Sequence, residues 1–290
     1  MTTLRQKYIQ VMVLRGMSER TQEAYVHQVY HLAKYYHRSP DGLTEEEVHT
    51  YLVYLAQERH LSASSINQAV NAFRFFYLHV CHRKLELVQA AMPYGRRAVV
   101  RPQVYSIEEL EQLFTVGCVQ PRDRAFLMTV YGGGLRLNEA CHLRVKDLQS
   151  SRHQIRVVQG KGGKDRYTLL SPRLLAELRR YWQLYRLKDW LFPAHHDGQQ
   201  PMIDATGQRI FYRAVQRAGL PRQGGIHSLR HSFATHLLES GVEITVVQRL
   251  LGHTNLSTTA GYLHVRQERL GQIKSPLQLL DFNRVAAAKG

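Results

Sequence analysis

In Thr44-Glu-Glu-Glu47 and again in Ser106-Ile-Glu-Glu109 a hydroxyl residue is followed three positions later by a glutamate. At that spacing each side chain covers a backbone N–H of the other residue, which commits the chain behind it to helix. Behind Thr44, the residues Val48, Tyr51, Leu52 and Leu55 fall at i, i+3, i+4 and i+7, one apolar stripe that must be buried against something. Ser18 offers an N-cap ahead of Tyr25, Val29, Leu32 and Tyr36. Ile66, Ala69, Val70, Phe73, Tyr77 and Val80 form a further stripe. With residues 4–15, these predict four helices within the first 82 residues, packed on one another as a bundle.

Residues 83–105 lose the period and carry Met92-Pro-Tyr-Gly-Arg-Arg97 and Arg101-Pro102, which reads as a basic linker. The expected organisation is a helical domain at 1–92, a connector at 93–105 and a second domain at 106–290. The second domain reads as helical to about His142, with a break at Pro121 and a turn at Gly132-Gly133-Gly134. Gln154-Ile-Arg-Val-Val158 and Arg166-Tyr-Thr-Leu-Leu170 flank a glycine-rich turn, the pattern of a β-hairpin. Helix returns after Ser171-Pro172. The fold class is therefore mainly α with a small β-hairpin or sheet: an N-terminal helical bundle and an α-rich second domain.

The net charge of +16 is unevenly placed. Residues 1–95 hold 10 Lys/Arg against 8 Asp/Glu, and the remainder holds 29 against 15. A polyanionic partner follows, although loose polyanion affinity alone would account for such charge equally well. Cys81, Cys118 and Cys141 have no CxxC spacing and read as free thiols. No run of 18 uncharged apolar residues occurs, and Met1-Thr-Thr-Leu-Arg-Gln-Lys7 lacks the apolar core of a secretory signal. The expectation is a soluble protein of a reducing cytoplasm, with no membrane partner.

Arg136 follows the three glycines and precedes a helix, so bare N–H groups and a guanidinium converge on one anion, with Glu139 one turn on to hold the arginine. Lys161 stands at the hairpin tip, where its ammonium can donate a proton; Lys164 and Arg166 compete for that role and are read as phosphate contacts. His227 and Arg230 are three apart at the start of a helix-forming run, and His231 and His236 read as packing or cap residues. His253 follows Leu250-Leu-Gly252, and Tyr262 lies nine residues later among Ser, Thr and Gly. Taken singly, each has an ordinary explanation as a surface ion pair, a solvated tip or a core aromatic. Taken together, two permanently charged guanidiniums that fork onto phosphate oxygens and a tyrosine able to become an ester suit cleavage of a phosphodiester. No HExxH, paired Cys/His, GxSxG or P-loop spacing competes with that reading.

In order and spacing, Gly133-Gly-Leu-Arg136-Leu-Asn-Glu139, Gly160-Lys161-Gly162, His227-Ser-Leu-Arg230, Leu250-Leu-Gly-His253 and Ser257-Thr-Thr-Ala-Gly-Tyr262 resemble the tyrosine recombinase (phage integrase) family. The first half resembles its SAM-like core-binding domain, as in Xer recombinases and integron integrases. The resemblance implies that Arg136 and Arg230 clamp the scissile phosphate, Lys161 protonates the 5' oxygen, His227 and His253 assist, and Tyr262 is the nucleophile. It implies a 3'-phosphotyrosyl intermediate formed without metal, nucleotide or other cofactor. The implied partner is double-stranded DNA carrying a specific recombination site, bound by a homo-tetramer across two sites in a prokaryotic nucleoid, as for a mobile genetic element. Residues 273–282, with Leu277, Leu280 and Phe282, are the candidate C-terminal tail, docking on a neighbour or on its own domain; accessory proteins stay open. A type IB topoisomerase-like relaxing enzyme and an architectural DNA-binding protein with an idle site are the alternatives. Gly132-Gly133-Gly134, Asn138 and Gly261 depart from the common family pattern without removing a catalytic group.

Overall fold

The computed structural model describes residues 3–95, 103–158, 165–194, 199–222, 224–253, 255 and 259–260. Its contacts divide the chain into two compact units, Met1–Val100 and Arg101–Gly290.

In the first unit α1 (Thr3–Leu14), α2 (Glu19–Tyr36), α3 (Glu45–Gln57) and α4 (Ala63–His79) are the four expected helices. Three begin as the sequence demands. The Ser18 and Ser62 hydroxyls accept from the N–H groups of Thr21 and Ser65, and Thr44 and Glu47 form the reciprocal box at 3.2 and 2.7 Å. Caps of this kind each contribute about 1 kcal/mol. The stripes meet in one core built on Tyr8, Met12, Leu32, Val48, Val70, Phe73, Phe76 and Tyr77, all nearly sealed from solvent.

Residues 83–95 differ from the expected linker. Leu85–Ala91 form a fifth helix, α5, and Val88 and Met92 are fully buried in the same core. Arg83 is used internally. Arg83 donates to Glu45, to Asp41 O and to Leu43 O and lies over the Tyr77 ring at 4.4 Å, while Arg74 of α4 reaches Met92 O. Asn67 and Gly95 exchange two hydrogen bonds, 3.0 and 2.8 Å, which fasten the end of this stretch to α4. Two buried apolar residues four apart were too short a period to stand out in the sequence.

The second unit opens with Tyr105, fully buried, whose N–H donates to Ser232 Oγ at 2.9 Å. Then come α6 (Ile107–Gln112, entered by the Ser106 capping box), a π-turn at Leu113–Gly117, α7 (Pro121–Gly132) and α8 (Leu137–Cys141). The hairpin is present as β2 (Gln154–Val157) against β3 (Arg166–Leu169), antiparallel, with Ile155 opposite Thr168. A two-residue strand, β1 (Leu148–Gln149), adds to its other edge and makes a three-stranded sheet. The helices α9 (Pro172–Tyr185), α10 (Asp204–Arg217), α11 (His227–Glu239) and α12 (Ile244–Leu251) follow the sheet. Phe126, Leu127, Leu135, Ile155, Phe192, Phe211 and Leu229 centre the main core, and α11 and α12 share a smaller cluster around Ala234, Val247 and Leu251. No described helix is long and apolar enough to cross a membrane.

Candidate active site

Four of the six residues singled out in the sequence are described, and the fold brings three of them into one bonded cluster. Arg136 caps α8, Arg230 lies on the first turn of α11, and His253 follows α12. Lys161 and Tyr262, like Lys164 and the tail at residues 273–282, lie outside the described residues.

The turn before α8 sets the geometry. Gly134 adopts φ +58°, a left-handed conformation open to glycine at little cost. Its carbonyl accepts from Arg230 Nη1 at 2.6 Å, so the turn that delivers one arginine holds the other. Thr168 Oγ1 donates to the neighbouring Gly133 O at 2.8 Å and ties β3 to the same turn. Arg230 Nη2 reaches Leu251 O at 2.6 Å and His253 Nε2 at 3.1 Å. Only 4% of the Arg230 side chain is exposed, so these acceptors fix the guanidinium where water does not compete.

Since arginine only donates, His253 Nε2 accepts, which puts the imidazole proton on Nδ1. Nδ1 lies 2.9 Å from Thr259 Oγ1, whose residue is fully buried. Loss of water around the ring, followed by the charges of Arg230, Arg136 and Arg166, lowers the His253 pKa to about 4. Desolvation, then Arg230 and Arg136, also lowers that of His227, although part of its side chain faces solvent. Both imidazoles are therefore neutral at pH 7. His231, one residue beyond Arg230, is pushed to about 4 by burial, then by His227 and Arg230. His236 bonds through Nδ1 with Tyr131 OH at 3.0 Å, as a packing residue would.

Glu139 stands at the centre. Its oxygens accept from Arg136 N and Arg136 Nη1, both at 2.7 Å, as the one-turn spacing predicts. They also accept from Arg166 Nη1 and Nη2 at 2.8 and 2.7 Å. Burial alone would raise the Glu139 pKa; the hydrogen bonds and charge of Arg166, then the bonds from Arg136, overcome it and hold the carboxyl at about 2. Arg166, read from the sequence as a phosphate contact, instead turns inward. The signal for this was available: strand alternation puts Arg166 on the same face as buried Thr168. Thr259 and Gln248, which donates to His253 O at 3.0 Å, had no signal in the sequence.

Three guanidiniums against one carboxylate leave the cluster with a net charge of +2, suited to a phosphodiester that gains negative charge as it is attacked.

Residues 104–269 match the phage integrase family, and residues 4–87 match the phage integrase N-terminal SAM-like domain. An integrase/recombinase of Sinorhizobium fredii is 40% identical over 97% of this chain and 90% of its own length. Tyrosine recombinase XerC of Halalkalibacterium halodurans is 33% identical over 78% of this chain and 79% of its own. Among solved structures, XerH site-specific recombinase bound to palindromic difH substrate, a post-cleavage complex, shares the fold. It has a TM-score of 0.69 and 23% identity, covering 89% of this chain and 80% of that one. The chain belongs to the phage integrase family and is a tyrosine-type site-specific recombinase.

Proposed function

We propose that the protein breaks and rejoins double-stranded DNA at a specific site with Tyr262 as nucleophile, Arg136 and Arg230 as phosphate ligands and Lys161 as general acid. The phenol oxygen of Tyr262 forms a bond to phosphorus as the bond from phosphorus to the 5' oxygen breaks. The departing 5' oxygen takes a proton from Lys161, leaving a 3'-phosphotyrosyl ester and a free 5' hydroxyl. In the reverse direction a 5' hydroxyl from the partner strand attacks that ester, returning a proton to Lys161 and releasing Tyr262. The ester conserves the bond energy, so the cycle needs no hydrolysable cofactor. His227, neutral at pH 7, is suited to take the phenol proton; neutral His253 holds the Arg230 guanidinium.

The observation that carries this reading is the convergence of Arg136, Arg230 and His253 from three separate elements, with Arg230 fixed by carbonyl acceptors and Arg136 by the buried Glu139 carboxylate. Positive charge held in place before the substrate arrives costs little reorganisation at the moment of reaction. The relatives' recombinase names support site-specific DNA as the substrate, and a tetramer spanning two sites, with residues 273–282 passed between neighbours, extends the same reading.

The test begins with a duplex enriched by the wild-type protein from a random library. It is nicked beside the scissile phosphate so that the released fragment diffuses away. A protein–DNA adduct that survives detergent is expected for the wild type and not for Tyr262→Phe. An adduct of equal yield with Y262F refutes the assignment.

A further inference from the structure

The four lone-pair positions of Glu139 are all occupied. Arg136 Nη1 and Arg166 Nη1 meet Oε1, while Arg136 N and Arg166 Nη2 meet Oε2. Arg230 Nη1 stands 3.7 Å from Oε2 and donates to Gly134 O instead, while Nη2 donates to Leu251 O and His253 Nε2. A carboxylate buried among three arginines is thus satisfied without drawing on Arg230.

We propose that Arg166 is a positioning residue that occupies Glu139 with a bidentate grip, so that Arg136 and Arg230 keep their charge and orientation for the scissile phosphate. The proposal rests on the phosphodiester reading of this site. Arg166 is built for the purpose. Its side chain is 10% exposed, its Nε donates to Leu250 O at 3.0 Å, and its Cδ packs on Gly252. Gly252 has φ +64°, and a Cβ there would lie 2.5 Å from Arg166 Cδ, so the guanidinium stem has one place to run. Through these contacts Arg166 joins β3, α8 and the end of α12, the three segments that bring Arg136 and His253 together. Because the fork is planar and made of two parallel bonds, lysine cannot reproduce it.

Removing Arg166 opens two lone-pair positions on a buried carboxylate, and among the described cations not already hydrogen-bonded to Glu139, Arg230 lies nearest, with Nη1 3.7 Å from Oε2. Its guanidinium then turns from the substrate side toward Glu139, and the cluster falls from +2 to +1. Removing the Glu139 charge at the same time takes away the competitor and restores +2. A role limited to holding the fold together makes no such prediction of rescue.

The experiment measures the rate of covalent adduct formation, and separately the noncovalent affinity, on the nicked duplex described above. For R166M the adduct rate is expected to fall about 100-fold, as for other losses of oriented charge, while affinity stays within about threefold. E139Q/R166M is expected to recover to within about tenfold of the wild type. R166K, which keeps charge and loses the fork, is expected to be about tenfold slow and to be restored by E139Q; it carries the test if R166M does not fold. A wild-type rate in R166M or R166K, or a double variant no faster than its single parent, overturns the proposal. A loss of affinity that matches the loss of rate also overturns it, by making Arg166 a DNA contact. Failure of the wild-type protein to form any adduct contradicts the phosphodiester reading itself, a different outcome from an adduct that ignores Arg166.

Discussion

The α-carbon of Gly134 faces the ring of Phe233 so closely that a methyl group there would lie 2.3 Å from Cδ1. Gly134 also holds Arg230 through its carbonyl, and Phe233 lies one turn along α11 from Arg230. Gly134→Ala therefore pushes on the helix that carries the arginine while forcing an alanine to φ +58°. The expected cost is about 2–4 kcal/mol from overpacking and backbone strain together, with adduct formation reduced at least about tenfold. Chemical denaturation and the adduct assay check both; a variant as stable and as active as the wild type contradicts the account of this turn.

Much of this arrangement was legible beforehand because it is local. The Arg136 and Glu139 pair follows from helical spacing, the caps at Thr44 and Ser106 from a four-residue signal, and the hairpin from alternation around glycines. What stayed hidden depends on chain segments far apart. Arg166 meets Glu139 across 27 positions and Leu250 across 84, and no period in the sequence links them. The helix Leu85–Ala91 escapes the sequence pattern for a different reason: seven residues give too few turns for a stripe.

Arg230→Lys tests whether charge alone suffices. A lysine ammonium donates from a single point and cannot span Gly134 O, Leu251 O and His253 Nε2. The adduct rate is expected to drop about 100-fold, with a stability loss of about 1–3 kcal/mol from the acceptors left bare in a buried site. A rate within about threefold of the wild type in single-turnover cleavage counts against the geometry described for Arg230.

Stability is expected to fall with acid in a defined window. His231 and His253 have pKa values of about 4 in the folded chain, below the 6.5 of an unperturbed histidine. As pH falls below about 6.5 the unfolded chain takes up protons first, so their contribution is intact above that value and declines toward pH 4. Glu139 has the opposite protonation chemistry but the same sign: its stabilisation is present above about 4.5 and is lost only as pH approaches 2. Melting temperatures recorded from neutral pH to about pH 4.5 are expected to decline by several degrees, and His231→Asn to lessen the slope. A flat profile over that range contradicts these shifts.

The role assigned to Lys161 is tested by changing the substrate. With a bridging sulfur in place of the scissile 5' oxygen, the leaving group is a thiolate that needs no proton. Lys161→Ala is expected to be slow on ordinary DNA and close to the wild-type rate on the sulfur substrate. An equal defect on both substrates removes Lys161 as the acid.

The most direct measurement is to digest the trapped protein–DNA adduct and locate the nucleotide by mass spectrometry. The account predicts a 3'-phosphate ester on the peptide that contains Tyr262, and a 5' hydroxyl on the released strand. A nucleotide carried on any other residue, or a 5'-phosphoryl linkage, would contradict it.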